Sequence, residues 1–405
     1  MRPDGPLLTR RGALCGAWTC ALTLQAFAAG LLRNRADPAL GGLFNDFADY
    51  WAAARILDLG GDPYDKRLLA QVLDQAGMHT LVGTGYSYPL LLAELLRPLG
   101  LLPPLVAGAL FTAAGIAALW LAMALLLSPL DGASRWPAWA LATGAGVFAP
   151  IGGSLYIGQA NLLLLPPLAL ALRGVAAPAG LAVAAAVKLY PAAAAIAWGS
   201  LGRRGLRPLA TTVAATAALA LGPNLVTGRW SYGSSLLAMF GPDPYWTNQS
   251  LNGWLSRLAP PGVPVTPLMV AVAAALGALT IAVVARQRQG WPGAFALLLC
   301  YAAVAAPKNS LWNFASLIVV LVFTWTLVRG RPVATLLLAL SWALFDALAP
   351  AVALLGRPPT SAWASSAPLY GALLLGGLLA WALLRQPPRE HDLLHATAGP
   401  GDSRR

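Results

Sequence analysis

Charged side chains are scarce in this sequence: Asp, Glu, Lys and Arg together make up 10% of its 405 residues, whereas hydrophobic residues make up 58%. The mean hydropathy is +0.65. A chain with so little charge cannot cover a water-soluble fold with polar side chains. The composition therefore excludes a soluble globular protein and predicts an all-α polytopic membrane protein.

Cysteine and histidine are equally scarce, with three of each. The three cysteines, Cys15, Cys20 and Cys300, lie in apolar segments, where we expect them to be reduced packing residues. The three histidines are scattered along the chain, at His79, His391 and His395. We therefore expect neither a disulfide nor a histidine-based metal site. Zinc-finger, Walker and Rossmann patterns are also absent, so no cofactor is predicted. No outer loop carries an Asp-x-Asp cluster, which argues against a metal requirement, although metal dependence stays open.

Long apolar runs occupy most of the chain. The first, 13–32, follows a basic segment and is too long for a secretory signal core, so we expect a retained helix after a cytoplasmic N-terminus at 1–12. Further candidate spans cover roughly residues 104–127, 136–150, 159–172, 175–188, 190–200, 208–224, 264–286, 292–306, 312–328, 333–350 and 367–385. Because several are shorter than the ~20 residues that cross a bilayer, some must be tilted, broken or joined. The sequence predicts about twelve transmembrane helices within 13–385.

The arginines predict how these helices are oriented. If every candidate span crosses once, most arginine clusters fall on one side, which the positive-inside rule identifies as the cytoplasm. The opposite face then carries two large loops, 33–87 and 226–262, while 386–405 is predicted to be a disordered cytoplasmic tail. The net charge of +12 comes mainly from the cytoplasmic arginines, so it indicates contact with anionic membrane lipids and no nucleic-acid partner.

Acidic residues are concentrated in the first outer loop, where seven of the fifteen lie between Asp37 and Asp74. Residues 45–57 have apolar side chains at helical spacing and predict an amphipathic helix at the outer interface. Asp46 stands at the start of this helix, where it could simply cap free backbone amides. Three carboxylates after the end of this helix pattern surround two glycines and a turn, and we expect them to be turn and cap residues. They are Asp58, Asp62 and Asp65.

Five short motifs occur in a fixed order along the chain. They are Asp46-Phe47-x-x-Tyr50-Trp51-Ala52-Ala53-Ala54-Arg55 with Gly61-Asp62-Pro63-Tyr64-Asp65, Tyr86-Ser87-Tyr88-Pro89, Gly158-Gln159-Ala160-Asn161, Lys188 with Pro191, and Asn248-Gln249-Ser250-Leu251-Asn252-Gly253. Together they resemble the glycosyltransferase 87 family of polyprenol-phosphate-mannose-dependent mannosyltransferases and their relatives. The resemblance covers about residues 12 to 385.

The resemblance implies a GT-C-type bundle with interfacial helices in the first outer loop and an active site on the extracytoplasmic face of the inner or plasma membrane. It implies that Asp46 is the catalytic base, with Asp49 as the second candidate. The donor would be a polyprenyl-phosphate sugar, with mannose as the sugar, and the acceptor a glycolipid or cell-envelope polysaccharide. An inverting single displacement needs only one base, because a phosphate leaves without general-acid help.

A departing phosphate needs cations or hydrogen-bond donors. Lys188 lies in an apolar run, where a lysine is costly unless it is paired or faces a cavity, so it is the first candidate for this contact and Lys308 the second. Lys188 could instead snorkel to the interface. Further substrate-binding candidates on the outer side are Gln159, Asn161, Tyr88, Asn248, Ser250 and Arg257. For several of them, capping, interhelical hydrogen bonds or an aromatic belt are alternative explanations.

A membrane transporter or lipid flippase is the alternative function, since it too needs many spans and few charges. Transporters usually contain repeated halves with matching interrupted helices. This sequence shows no such repeat, and its unusual polar residues cluster at one face. One departure from the family is notable: near the start of the tenth span, where relatives are expected to carry a histidine, this chain has Trp312-Asn313.

Overall fold

The computed structural model describes residues 6–34, 43–78, 85–130, 135–287, 290–348 and 359–385. Within these ranges the chain is helical and forms no β-strand, apart from an isolated bridge between Asn248 and Ser310. The α-helices are α1 Arg10–Asn34, α2 Asn45–Asp58, α3 Lys66–Gln75, α4 Leu90–Leu95, α5 Arg97–Gly100, α6 Pro104–Leu127, α7 Arg135–Val147, α8 Ala149–Ile157, α9 Leu165–Leu172, α10 Ala177–Val187, α11 Leu206–Thr227, α12 Tyr232–Ala238, α13 Leu251–Leu258, α14 Val265–Arg286, α15 Trp291–Ala305, α16 Ile318–Val328, α17 Pro332–Asp346 and α18 Ala367–Arg385. The 3₁₀ helices are Ser128–Leu130, Ala160–Leu164, Tyr190–Gly205, Leu311–Leu317 and Ala364–Ser366.

Six helical segments in the described chain are long and apolar enough to cross a membrane, and α7 with α8 makes a seventh if this pair, bent by 42°, is counted as one span. These findings support a multi-pass, all-helical membrane protein. They do not confirm the predicted number of about twelve spans. The reason is length: four apolar helical segments contain only 10–17 residues, which is less than the ~20 that a straight crossing requires.

The helix predicted in the first outer loop is α2, but it is more deeply buried than an interfacial helix. All residues from Phe47 to Ala54 are buried, so every face of this part of the helix is covered. Helix α5 approaches this part of α2 closely, because a Cβ on Gly100 of α5 would lie 3.0 Å from the Arg55 nitrogen and 3.2 Å from the Ala54 Cβ. By contrast, α3 buries only one face, formed by Leu69, Val72 and Leu73.

Two of the three predicted turn and cap residues of this loop, Asp62 and Asp65, behave as expected, whereas Asp58 forms an ion pair. Asp65 accepts hydrogen bonds from the backbone N–H groups of Arg67 and Leu68 and so caps α3. Asp62 accepts from the N–H of Tyr64 within the turn, and Asp58 pairs with Arg97 at 2.9 Å. These three carboxylates are therefore occupied in holding local structure.

Other predictions are tested only in part. Cys15, Cys20 and Cys300 are buried thiols within the bundle, as expected of packing residues. Several predicted features lie outside the described residues: 1–5, parts of the loop 33–87 including His79, and the tail 386–405 with His391 and His395.

Candidate active site

The site is built around the end of α8. Gly158 adopts a left-handed conformation (φ 71°), and the N–H groups of Gly158 and Gln159 donate to the carbonyls of Leu155 and Ser154 at 3.3 and 2.7 Å. This is a Schellman motif, which closes the helix and favours glycine. A Cβ on Gly158 would lie 2.5 Å from the Phe47 Cβ, so the same glycine also lets α2 approach. The motif therefore fixes the backbone of Gln159 beside the first turn of α2.

Asp46 lies in that first turn and is half-buried. Its carboxylate accepts hydrogen bonds from Asn45 Nδ2 at 3.2 Å and from Gln159 Nε2. The residue preceding α2, Phe44, has a left-handed conformation, and no side chain caps this helix. The interpretation of Asp46 as a helix cap is therefore wrong. Its carboxylate faces the end of α8 instead.

Lys188 lies where α10 ends, in extended backbone, and only 5% of it is exposed. Its ammonium nitrogen donates to Gln159 Oε1 at 2.5 Å, to Asn161 Oδ1 at 2.7 Å and to Asn313 Oδ1 at 2.6 Å. An ammonium group has three N–H donors, so these three amide oxygens use all of them. Lys188 is thus enclosed by the protein and does not snorkel.

The charge of Lys188 is not neutralised by direct contact in the described part of the chain, since no carboxylate oxygen there lies within 4.0 Å of its ammonium. The ring of Tyr88 lies 5.3 Å from the nitrogen, within the range of a cation–π contact. Tyr50 donates its hydroxyl to Gln159 Oε1 at 3.2 Å. Gln159 therefore links the two charged groups: its amide nitrogen contacts Asp46 and its oxygen contacts Lys188.

The polar network continues into the second outer loop. Asn313 Nδ2 donates to Asn309 Oδ1 at 2.8 Å, and the N–H of Asn309 donates to Asn248 Oδ1 at 3.2 Å. The hydroxyl of Ser250 also donates to Asn248 Oδ1, at 2.8 Å. An unbroken chain of hydrogen bonds thus joins five sequence segments, from the first outer loop to the start of the 3₁₀ helix Leu311–Leu317.

Three predicted residues take different positions. Lys308 forms an ion pair with Asp243 at 2.9 Å, with half of its side chain exposed. Arg257 donates to Ser366 Oγ at 2.8 Å and to backbone carbonyls of its own loop, which gives it a structural role. Asp49 is buried one turn after Asp46. The candidates brought together are Asp46, Gln159, Asn161, Lys188 and Tyr88, with Asn248 and Ser250 supporting them from the outer loop.

Sequence reasoning missed Asn313, Asn309 and Tyr50 as members of the site. A signal for Asn313 was present, because it stands where relatives are expected to carry a histidine. Tyr50 belongs to the first-loop motif, where its ring was taken as part of an interfacial helix. Asn309 had no distinguishing signal, since polar residues are common in loops.

Burial raises the pKa of the Asp46 carboxyl above its usual range, while its hydrogen bonds and the nearby charge of Lys188 oppose the increase. A carboxylate with a raised pKa is a stronger proton acceptor than an exposed aspartate. The described residues include no group of three or more His, Cys, Asp or Glu side chains arranged to hold a metal ion.

An apolar cavity of about 420 Å³ lies beside this network, between the 3₁₀ helix Tyr190–Gly205, α11 and α12. Leu189, the residue that follows Lys188, lines the cavity, as does Tyr232. The ring of Tyr232 lies 5.7 Å from that of Tyr64, whose hydroxyl donates to the carbonyl of Tyr88. The cavity is therefore connected to the polar network through Leu189, the chain neighbour of Lys188, and through the Tyr232–Tyr64 contact.

A family model described as glycosyltransferase family 87 matches residues 86–310, which is more than half of the chain. The chain belongs to glycosyltransferase family 87. Neither the curated proteins nor the solved structures contain a match. As a member of this family the protein is a membrane glycosyltransferase with a sugar donor and an acceptor. The matched region contains Gln159, Asn161 and Lys188, whereas Asp46 and Asn313 lie outside it.

Proposed function

We propose that this family 87 enzyme transfers mannose from a polyprenyl-phosphate carrier to a hydroxyl of a lipid-linked or cell-envelope acceptor, with inversion at the anomeric carbon. The observation that carries the proposal is the arrangement of Asp46, Gln159 and Lys188. One carboxylate and one buried cation lie on either side of a single amide group. Such a pair can serve the two ends of a displacement reaction.

In the proposed reaction the acceptor hydroxyl attacks the anomeric carbon from the side opposite the lipid phosphate. The new bond joins the acceptor oxygen to that carbon, and the bond between the carbon and the phosphate oxygen breaks. Asp46 takes the hydroxyl proton, and the bonding electrons leave with the phosphate. Because the leaving group departs as an anion, a nearby cation stabilises the transition state more than the ground state.

Lys188 is suited to hold that phosphate. Its three hydrogen-bond acceptors are neutral amides, so its positive charge is available to an anion. All three N–H donors are engaged, and a phosphate oxygen must therefore replace one amide oxygen when the donor binds. A charged acceptor makes a stronger hydrogen bond with an ammonium than a neutral amide does, which favours this exchange.

The apolar cavity supports a lipid carrier over a water-soluble donor. A phosphate bound at Lys188 would place the attached hydrocarbon chain near Leu189, at the start of the cavity along α11. Burial of hydrocarbon stabilises a complex by about 0.8 kcal/mol per CH₂ group. A nucleotide sugar offers no group that would use this surface.

The position of the site at one end of the bundle supports a reaction on the extracytoplasmic side. This inference uses the proposed topology, in which about twelve spans each cross the membrane once. The network lies at the ends of α8 and α10 and the start of the Leu311–Leu317 segment. On the proposed topology, these ends lie opposite the basic turns that contain Arg203, Arg204, Arg329 and Arg331. The positive-inside rule assigns those turns to the cytoplasm. The site then faces the outer leaflet of the inner or plasma membrane.

The test is a transfer assay with purified protein in lipid nanodiscs. Radiolabelled polyprenyl-phosphate mannose is supplied with lipids extracted from the host membrane, and the products are separated and identified. We expect labelled glycolipid or polysaccharide with the anomeric configuration inverted. Transfer from a nucleotide sugar without any lipid carrier would contradict the proposal. Counterflow of a solute without transfer would instead support the transporter alternative.

A further inference from the structure

A carboxylate from α17 holds the break between α7 and α8. The N–H of Ala149, the first residue of α8, donates to Asp346 Oδ1 at 2.7 Å. The next available amides, Ile151 and Gly152, both donate to the carbonyl of Phe148. The first N–H of a helix has no partner within the helix, and Phe148 provides no side-chain cap. Asp346 therefore satisfies the amide that the break leaves free.

The position of this carboxylate is unusual. Asp346 ends α17, which begins at Pro332 directly after the basic turn. At about 1.5 Å of rise per residue, the carboxylate lies roughly 20 Å from that turn. On the topology that puts this turn at the cytoplasmic surface, a hydrocarbon layer about 30 Å thick would enclose Asp346, and acidic residues are costly and rare there. The amide dipoles at the start of α8 favour an anion there.

Both elements that carry the amides of the site meet the end of α17. Gln159 lies directly beyond α8, and Ser154 of the same helix accepts a hydrogen bond from Asn161 at 2.9 Å. Phe345, beside Asp346, packs its ring against Phe148 at 5.6 Å and against Phe314 at 5.4 Å. Phe314 adjoins Asn313, the third amide around Lys188. One helix end thus contacts the start of α8 and the Leu311–Leu317 segment together.

We propose that Asp346 is a positioning residue: by holding the first amide of α8, its carboxylate fixes the helix whose other end presents Gln159 to Asp46. α8 contains nine residues and is about 13 Å long, which is short enough to move as one unit. A shift at its start would move Gln159 and disturb the contacts on both sides of its amide. The effect on transfer rests on the proposed function, whereas the effect on α8 does not.

The first experiment measures α8 directly. Asp346→Leu has similar bulk but cannot accept a hydrogen bond, while Asp346→Asn keeps an oxygen at the same place. Hydrogen exchange of the amides in 149–161 is followed by mass spectrometry in nanodiscs. We expect exchange about tenfold faster in the leucine variant and unchanged in the asparagine variant. If Asp346→Leu does not fold, Asp346→Ser, whose side chain is too short to reach Ala149, takes its place with the same expectation.

The matched control is Ser341→Ala. Ser341 is buried on the same helix and donates to the carbonyl of Gly371 at 2.8 Å, on the α18 side. Its loss removes one buried hydrogen bond without touching α8. Exchange in 149–161 should therefore stay at the wild-type rate. Equal acceleration by Ser341→Ala and Asp346→Leu would overturn the proposal, because the effect would then be general loosening of α17.

The second experiment links the carboxylate to Gln159. Asp346→Leu should lower kcat/KM for sugar transfer by about 10- to 100-fold, and Asp346→Asn should stay within about threefold of wild type. In a Gln159→Leu background the same Asp346→Leu change should lower kcat/KM by less than about twofold, because both substitutions disrupt the same contact between Gln159 and Asp46. Independent, multiplying effects would overturn the role in positioning Gln159. Absence of transfer in the wild-type protein would contradict the proposed function alone, and the exchange data would still decide the role of Asp346.

Discussion

Asp46→Asn is the most informative single change in this protein. Asparagine has the same shape as aspartate and keeps an oxygen that can accept the hydrogen bond from Gln159 Nε2. Because Asp46 does not cap α2, the helix should form without the charge. We expect a loss of stability of about 1 kcal/mol or less, within the usual contribution of one hydrogen bond. The variant should therefore be recovered folded from the membrane.

The catalytic effect should be much larger. An amide cannot take the proton of the attacking hydroxyl, and a positioned general base typically contributes about 10²- to 10⁴-fold. This corresponds to about 3–5 kcal/mol of activation free energy. Transfer should fall by at least about 100-fold while binding of the donor persists, since Lys188 and its three amides are intact.

The assay compares transfer from polyprenyl-phosphate mannose with donor-induced thermal stabilisation of the same samples. Asp65→Asn is the control, because Asp65 belongs to the same outer loop but caps α3. Asparagine is also a good helix cap, so this variant should keep both stability and turnover. Wild-type turnover in the Asp46→Asn protein would refute the assignment of the base.

The same reasoning predicts a pH dependence of the wild-type enzyme. The base works only when it is ionised, so transfer must decline as the pH falls through its pKa. An ordinary aspartate has a pKa of about 4. Because burial raises the pKa of Asp46, the decline in transfer should occur at a higher pH than it would for an ordinary aspartate. A pH profile of kcat/KM measures this pKa in the free enzyme. An acidic limb at or below the ordinary value would contradict the burial argument.

Three further predictions concern the rest of the site. Lys188→Met should abolish stabilisation by polyprenyl phosphate, whereas Lys308→Met should change it little because Lys308 is paired with Asp243; comparable losses would contradict this. Gly158→Ala should lower the free energy of unfolding by about 2–4 kcal/mol, through left-handed strain and contact with α2, as measured by denaturant unfolding in detergent. Ala217→Trp, which fills the cavity, should weaken binding of long-chain carriers more than short-chain ones; equal weakening would argue against a lipid chain there.

The sequence was most informative where polar residues interrupt apolar runs. Lys188 was selected on that basis, and Gln159 and Asn161 because they stand at the start of a span on the outer side; the structure places both amides in direct contact with Lys188. This selection was possible because a polar side chain in hydrocarbon raises the free energy of the folded protein unless it has a partner, so such residues point to a binding or structural contact. Their roles in binding remain predictions. Asp46 was selected through the family motif, and its position beside Gln159 could not be derived from spacing alone.

The number of spans and the depth of α2 could not be obtained in the same way. Apolar runs show where helices form, but breaks depend on tertiary contacts such as that between Asp346 and Ala149, which are separated by 197 positions. Similarly, α2 looks amphipathic in sequence, yet its alanines admit neighbours on all sides. Periodicity reports which face is apolar and not how many partners eventually cover it.

The arrangement of amides around Lys188 has a consequence for the chemistry. If a carboxylate contacted the ammonium directly, its pKa would be lowered and it would be a poor base. The phosphate of the carrier would then have to displace an anion from the cation. The structure avoids both problems, because Gln159 stands between Asp46 and Lys188 and satisfies each with one end of a neutral group. In the proposed mechanism the base therefore keeps its raised pKa, no anion has to leave the cation before the donor binds, and proton transfer and phosphate departure occur at separate atoms.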